Sequence, residues 1–184
     1  MPFEFQKAPL GGLWVITPKR FKDGRGCFEE CYHSEVFKQN GITKSFVQDN
    51  QSISQQGTIR GLHFQNPPHA QGKLVRAVTG CILDVAVDIR EKSKTYGDHY
   101  SIELSQENGI MLYIEEGFAH GFAVLSNEAI VHYKTTSFYA PQSEGGIIWN
   151  DPDLGIDWRT PNPCLSQKDT HLPLLKDLSR THSR

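Results

Sequence analysis

The clearest pattern along the chain is the alternation of apolar and polar residues that is typical of β-strands. From Leu83 to Ile89 every second residue is aliphatic, and the residues between them are Asp84, Ala86 and Asp88, which gives a period of two. Similar short apolar runs predict further strands at residues 74–78, 101–104, 110–114, 118–125 and 129–135. Gly, Asn and Ser residues separate these runs, and short strands at this spacing predict a sandwich or a jelly roll.

Helical patterns are sparse in this chain. Residues 34–39 predict one short helix, with Ser34 as its cap and Gly41 as its stop. A second short helix is predicted near Leu172 to Leu178, and the polar tail at about 179–184 is expected to be frayed. No internal repeat, low-complexity tract or linker interrupts the pattern, so we predict one domain over residues 1–184.

Composition and charge narrow the classes of function. The 184 residues are 38% hydrophobic and 22% charged, and 19 basic against 21 acidic residues give a formal charge of −2. This balance provides no general attraction to nucleic acid or to an anionic membrane. No apolar stretch approaches the roughly 18 residues of a membrane span. Residues 1–10 lack the apolar core of a signal peptide, which predicts a cytoplasmic protein.

Four parts of the chain carry more reactive side chains than a core requires. They are residues 23–26 followed by Glu30, residues 46–50, residues 60–73, and the group Tyr133, Tyr139 and Glu144 with Lys168-Asp169 further on. Charged and amide side chains are seldom fully buried unless they are paired. These segments are therefore the candidates for a binding or catalytic site.

A motif between residues 109 and 121 indicates the fold more closely. Gly109, Glu115, Gly117 and His120 have the spacing of the second motif of the cupin superfamily, with Glu115 where a Pro is usual. Cupins are double-sheet jelly rolls, which agrees with the strand pattern. The first cupin motif supplies an H-x-H pair of metal ligands, but no two of the eight histidines have that spacing, and the four cysteines form no C-x-x-C pair. Because a metal site needs about three or four converging ligands, we predict no metal and expect free thiols.

Several segments, taken in order, resemble one family of sugar-nucleotide epimerases. They are RGLHFQ (60–65), AQGKLVRAVTG (70–80), DVAVDIR (84–90), EGFAHGF (116–122) and WNDPDLGIDW (149–158), continued by FVQDN (46–50) and Lys168-Asp169. The resemblance is to the dTDP-4-dehydrorhamnose 3,5-epimerase family and covers essentially the whole chain. It implies an all-β, double-stranded β-helix (cupin) jelly roll with a few short peripheral helices, a homodimer, and no cofactor. It also implies a dTDP-sugar substrate in which two centres beside a ketone are inverted.

Inversion beside a ketone requires a base, stabilisation of the enolate, and an acid on the opposite face. A His suits the base because its unperturbed pKa, about 6.5, lies near working pH. The resemblance implies that His63 is this base and that the Asp169 carboxylate orients it. It also implies that Lys73 places a positive charge at the enolate oxygen and that Tyr133 is the proton donor.

The dTDP half of the substrate calls for cations and an aromatic face. A diphosphate is held by Arg or Lys, and Arg25, Arg60 and Lys168 match the family positions, as Tyr139 matches the residue that stacks on thymine. The other positions that match substrate contacts are Glu30, Gln48, Asp49, Asn50, Lys73, His120 and Glu144. In the family, some contacts near the Arg25 and Gln48 segments cross the dimer interface.

Three alternatives stay open at this point. An epimerase acting at C3 or C5 alone, on a related 4-keto-6-deoxy sugar nucleotide, would use the same base. A metal-dependent cupin enzyme would need ligands that the missing H-x-H pair does not supply. A sugar-binding module without catalysis would leave His63, Lys73 and Tyr133 dispensable.

Overall fold

A computed structural model of the chain describes residues 2–178, so the predicted frayed tail at 179–184 lies outside the described residues. Within them the chain forms one α-helix and a series of mostly short strands. The strands are β1 (Phe3–Lys7), β2 (Leu13–Pro18), β3 (Arg20–Asp23), β4 (Gly26–Glu29), β5 (Gln48–Gln55), β6 (Ile59–Gln65), β7 (Lys73–Thr79), β8 (Cys81–Asp88), β9 (His99–Ser105), β10 (Met111–Ile114), β11 (Phe118–Val124), β12 (Glu128–Thr135) and β13 (Glu144–Gly146). The helix α1 covers Ser34–Gln39, and 3₁₀ turns cover Pro141–Ser143, Asp169–His171 and Leu175–Asp177.

Two antiparallel sheets make up the body of the molecule. One has the order β1-β2-β10-β7-β12-β5, and the other has the order β13-β6-β11-β8-β9, so strands that follow each other in sequence repeatedly change sheet. The remaining pair, β3 and β4, forms a separate two-stranded hairpin. This arrangement confirms the predicted all-β jelly roll.

Apolar side chains lie between the sheets and also on their outer faces. Leu13, Val75, Leu112 and Phe122 belong to the cluster between the sheets. The outer face of the five-stranded sheet packs against the chain that follows β13, including buried Trp158. The six-stranded sheet packs in the same way against α1, where Phe37 is buried. Both sheets are therefore covered on both sides, as in a two-layer fold with peripheral segments.

Both faces of strand β8 are buried, although its apolar and polar residues alternate. Leu83, Val85 and Val87 face the outer cluster, while Asp84 and Asp88 are fully buried on the inner side of the sheet, which also carries Ile82 and Ala86. Asp84 pairs with His120, with 2.8 Å between Oδ1 and Nε2. Asp88 accepts hydrogen bonds from Arg90 and from the Ser93 hydroxyl, so both buried carboxylates have partners.

The helix prediction is confirmed in its bounds and wrong in its cap. Helix α1 covers residues 34–39, but His33 occupies the N-cap position, and no side chain caps the helix. Gly41 follows the last turn with a φ of +94°, a conformation in which Gly is favoured. No helix of the described residues is long and apolar enough to cross a membrane.

The second predicted helix is wrong in extent, since only Leu175–Asp177 forms a 3₁₀ turn. Leu172 precedes Pro173 and is extended, with φ −66° and ψ 149°, as expected for a residue before proline. The Pro173 carbonyl accepts a hydrogen bond from the Ile148 backbone. Tertiary contacts therefore hold residues 172–174 in an extended conformation.

Candidate active site

A pocket of about 730 Å³ opens between the two sheets. Most of the residues that the sequence nominates for substrate contact or catalysis line it. They are Gln48, Asn50, Arg60, His63, Lys73, His120, Tyr133, Tyr139, Glu144, Lys168 and Asp169. The fold thus brings together side chains from β5, β6, β7, β11, β12, β13 and the 3₁₀ turn at residue 169.

His63 and Asp169 are in contact inside this pocket. The His63 Nε2 atom lies 2.6 Å from Asp169 Oδ1, which leaves the other ring nitrogen for a substrate. The Asp169 side chain is buried, and the Ser166 hydroxyl accepts a hydrogen bond from its backbone N–H. Burial by itself raises the pKa of Asp169, but hydrogen bonds from His63 and the Gly61 backbone outweigh it and lower this pKa. The carboxylate therefore stays charged beside the imidazole at neutral pH.

Close packing of β6 on β11 fixes the strand that carries His63. Gly61 has a φ of +135°, and a Cβ atom there would lie 2.5 Å from the Gly121 Cα. His63 and His120 are register partners on these two strands. Glycine at position 61 of the RGLHFQ segment is therefore needed for the close approach.

Lys73 begins β7 and directs its ammonium group at the backbone of β6 beside His63. Its Nζ donates a hydrogen bond of 3.2 Å to the His63 carbonyl oxygen, and the residue is only 8% exposed. Burial lowers the pKa of Lys73 to about 8, although Asp84 and Glu144 act in the opposite direction. The pocket thus holds a desolvated cation with few competing partners, which suits it to a developing negative charge.

His120 is held at the pocket floor by the buried Asp84. Burial lowers the pKa of His120 below its ordinary value, and the Asp84 carboxylate only partly opposes this. The sequence indicated no role for Asp84 beyond its position in an alternating strand. A lone Asp in an alternating strand gives no sign that it is buried, so sequence reasoning had little chance of finding it.

Tyr133 faces the pocket from the sheet opposite His63. It lies on β12 of the six-stranded sheet, whereas His63 lies on β6 of the five-stranded sheet. Burial raises the pKa of Tyr133 above its ordinary value, although the Arg60 charge partly opposes this. The phenol is therefore protonated at neutral pH and available as a donor.

Three side chains form a chain of polar contacts at the pocket mouth. The Tyr139 hydroxyl donates to Glu144 Oε2 at 3.1 Å, and Lys168 Nζ lies 2.6 Å from the same oxygen. Burial raises the pKa of Glu144, but Lys168 outweighs this and lowers it. Tyr139 is 55% exposed, so its ring is open to a ligand.

Three nominated residues lie outside the pocket in the described chain. Arg25 is at the tip of the β3–β4 hairpin, 91% exposed in its side chain, and pairs with Asp23. Glu30 follows the same hairpin and does not line the pocket. Asp49 lies between Gln48 and Asn50 on β5 but does not line the pocket. Its Oδ1 pairs with Lys134 Nζ at 2.8 Å.

Other residues of the pocket had no role assigned from the sequence. Gln65, Gln71 and Ser166 line the pocket, and the two glutamines lie within the residue 60–73 segment.

Among residues 2–178, no group of three or more His, Cys, Asp or Glu side chains has an arrangement that could hold a metal ion.

Comparison with known proteins agrees with this geometry. Residues 7–177 match the family model described as dTDP-4-dehydrorhamnose 3,5-epimerase. The chain is 47% identical over 178 residues to a dTDP-4-dehydrorhamnose 3,5-epimerase of Methanothermobacter thermautotrophicus, which covers 95% of this chain and 96% of that relative. It is 40% identical to a dTDP-4-dehydrorhamnose 3-epimerase of Streptomyces niveus, covering 92% of this chain and 83% of that one.

A solved structure is similar over nearly the whole chain. It is a dTDP-6-deoxy-D-glucose-3,5-epimerase from Legionella pneumophila in complex with dTDP-4-keto-L-rhamnose. The TM-score is 0.94 at 42% sequence identity, over 97% of this chain and 96% of that chain.

Proposed function

This chain belongs to the dTDP-4-dehydrorhamnose 3,5-epimerase family, and we propose that it performs this reaction in the pocket around His63, Lys73 and Tyr133. It converts dTDP-4-dehydro-6-deoxy-D-glucose to dTDP-4-dehydro-L-rhamnose, so it is an isomerase. His63 and Tyr133 lie on opposite sheets, and Lys73 is buried against the His63 backbone; this placement carries the assignment of roles.

His63 removes the proton from the carbon beside the ketone. Asp169 stabilises the imidazolium that forms, because its buried carboxylate lies 2.6 Å from the ring. The imidazolium releases this proton to solvent, and solvent returns a proton to the donor on the opposite face, so the same ring can act again at the second carbon. One base therefore serves both C3 and C5.

Lys73 stabilises the enolate, and Tyr133 returns the proton. The Lys73 ammonium is buried, and a positive charge in a poorly solvated site acts strongly on an enolate oxygen. Tyr133 stands on the sheet opposite the base, so its proton reaches the other face of the sugar ring. Removal on one face and return on the other inverts the centre.

The nucleotide half of the substrate lies toward the mouth. Tyr139 offers an exposed ring for the thymine, and Lys168 and Arg60 offer charges for the diphosphate. Lys168 is paired with Glu144, with 2.6 Å between Nζ and Oε2. The diphosphate would therefore compete with Glu144 for this ammonium group.

Isotope exchange tests the reaction directly. With dTDP-4-keto-6-deoxyglucose in D₂O, we expect deuterium to appear at both C3 and C5, because each inversion passes through an enolate that takes its proton from solvent-exchangeable groups. NMR of the sugar ring measures the uptake at each carbon.

The pattern of uptake separates the open alternatives. Uptake at C3 alone would select a 3-epimerase, the activity named for the Streptomyces niveus relative. Uptake that disappears after treatment with a chelator would support a metal-dependent enzyme. No uptake by folded protein with intact substrate would remove the epimerase proposal.

We also propose a homodimer that uses the β3–β4 hairpin as a contact surface. Phe21 and Phe28 on this hairpin are 52% and 69% exposed, and their ring centroids are 6.4 Å apart. Two neighbouring exposed rings give this hairpin an apolar surface that a partner chain can cover. The hairpin also carries Arg25 away from the pocket of its own chain, so in a dimer this guanidinium could reach the mouth of a second copy.

Sedimentation velocity tests the dimer. We expect a species of twice the chain mass, and Phe28→Ser should shift it toward monomer because the exposed ring leaves the contact. Tyr96→Ser, which removes another exposed aromatic ring on the β8–β9 connection, should leave the mass unchanged. A wild-type protein that sediments as a monomer at every concentration contradicts the proposal.

We propose further that residues 1–184 act as one domain in the cytoplasm. All four cysteines are free, which fits a reducing compartment. The family match over residues 7–177 supports one domain.

A further inference from the structure

The segment at residues 137–140 carries Tyr139 at the pocket mouth without belonging to a strand or a helix. Such a segment has backbone N–H and C=O groups that no sheet ladder satisfies. In this chain four of those groups, from the Ser137 carbonyl to the Ala140 N–H, bind to the side-chain amides of glutamines. The position of the Tyr139 ring therefore depends on side chains from other elements.

Gln65 makes the largest number of these contacts. Its Oε1 accepts a hydrogen bond of 2.8 Å from the Ala140 backbone, and its Nε2 donates to the Phe138 carbonyl at 3.2 Å. The same Nε2 donates to the His69 carbonyl at 2.7 Å. Gln65 is only 7% exposed, and it lies on β6 two residues after His63. One buried amide thus joins the strand of the base to both sides of Tyr139.

Two further glutamines hold the same segment. Gln71 Nε2 donates to the Ser137 carbonyl at 2.7 Å, and Gln48 Oε1 accepts from the Tyr139 backbone at 2.9 Å. The contacts run from residue 137 to residue 140 without a break. We call Gln48, Gln65 and Gln71 the amide clamp.

We propose that Gln65, through this amide clamp, is a positioning residue that fixes Tyr139 for the thymine of the dTDP-sugar. This inference rests on the proposed function, in which Tyr139 stacks on the base. A ring already fixed in its binding position does not lose conformational freedom when the ligand arrives, so preorganisation strengthens binding. Removal of the clamp would lower the fraction of molecules with the ring in place, and the apparent affinity falls with that fraction.

This role differs from a direct part in proton transfer. Gln65 supports the segment that binds the nucleotide, whereas His63, Lys73 and Tyr133 act on the sugar. We therefore expect its loss to raise KM several-fold and to change kcat by less than about twofold, the pattern of lost binding that is equal in ground and transition states.

A double-mutant cycle with dTDP as the probe tests the proposal. Calorimetric Kd values are measured for wild type, Gln65→Met, Tyr139→Ala and the double variant. Tyr139→Ala should weaken binding about tenfold, in the range of base stacking, and Gln65→Met about three- to tenfold. If Gln65 acts through the ring, the double variant binds no more weakly than Tyr139→Ala alone.

Controls separate positioning from a general loss of structure. Gln55→Met removes an exposed amide on β5 that pairs with Glu128, and it should leave the Kd and KM unchanged. Thermal unfolding of each variant reports on folding. If Gln65→Met does not fold, Gln71→Met enters the same cycle and should show a smaller loss that again vanishes without Tyr139.

Independent effects of Gln65→Met and Tyr139→Ala on the Kd would overturn the positioning role. A lower kcat at unchanged KM would overturn it as well. The cycle measures dTDP binding and needs no turnover, so its result stays separate from the isotope exchange test of the proposed function.

Discussion

Replacing His63 by Ala is expected to reduce deuterium exchange at C3 and C5 by about 10³-fold or more. General bases typically contribute about 10²- to 10⁴-fold, and here both inversions share one base. The rates are measured by NMR in D₂O with saturating substrate. We expect dTDP to bind the variant with nearly unchanged affinity, because His63 lies at the sugar end of the pocket.

Replacing Asp169, the partner of His63, is expected to lower the exchange rate by a smaller factor. Asp169→Asn should lower the exchange rate about 10²-fold, because the amide cannot stabilise the imidazolium by charge. His99→Ala removes a histidine on β9 outside the pocket and serves as the matched control, with unchanged exchange. Near-wild-type exchange by folded His63→Ala protein would falsify the assignment of the base.

Replacing Lys73 by Met is expected to lower kcat about 10²- to 10³-fold, the effect of removing a group that stabilises an oxyanion. The charged ammonium is needed for this effect. Because the pKa of Lys73 is about 8 in the fold, wild-type kcat/KM, which follows the ionisation of the free enzyme, should fall as the pH rises through about 8. The residual activity of Lys73→Met should lack this alkaline limb.

The same variant should be at least as stable as the wild type at pH 7. Burial lowers the pKa of Lys73 from 10.5 to about 8, which means that the folded protein holds the proton less tightly than the unfolded chain. The charge therefore costs stability below about pH 8, and the cost disappears as the pH rises toward 10.5. Urea unfolding at pH 7 and pH 9.5 measures the difference between the two proteins.

Loss of activity with retained stability would mark Lys73 as a residue kept for function at some cost to folding. Lys94→Met, on the exposed connection between β8 and β9, is the matched control and should change neither quantity. If Lys73→Met lost activity only in proportion to its unfolded fraction, Lys73 would have a structural role and no part in stabilising the enolate.

The local pattern of the sequence was sufficient for the strands that are mostly apolar. The runs on β7 to β12 contain enough aliphatic residues to show strand length and period, and all six form strands. Strand β5 reads QDNQSISQ and offers no apolar period. It forms at the edge of a sheet, paired only with β12, so its strand state depends on its neighbour.

The ordered motifs of the sequence were also sufficient for the family and the reaction class. RGLHFQ and EGFAHGF can be recognised from the sequence alone. In the structure they lie on adjacent strands, with His63 and His120 in register. They do not reveal that Asp84 is buried beneath His120. A strand whose polar face is buried has the same alternating sequence pattern as a strand whose polar face is exposed to solvent.

Distances between remote parts of the chain were decided only by the tertiary structure. The contact of His63 with Asp169 joins residues 106 positions apart, and the opposition of His63 and Tyr133 follows from the assignment of their strands to different sheets. The amide clamp has the same origin, because glutamines from separate elements meet one irregular segment only after the sheets have packed. Sequence by itself thus determined which chemical groups are available and in which fold. The packing of two sheets determined which groups touch, because side-chain contacts across a jelly roll depend on strand order and register.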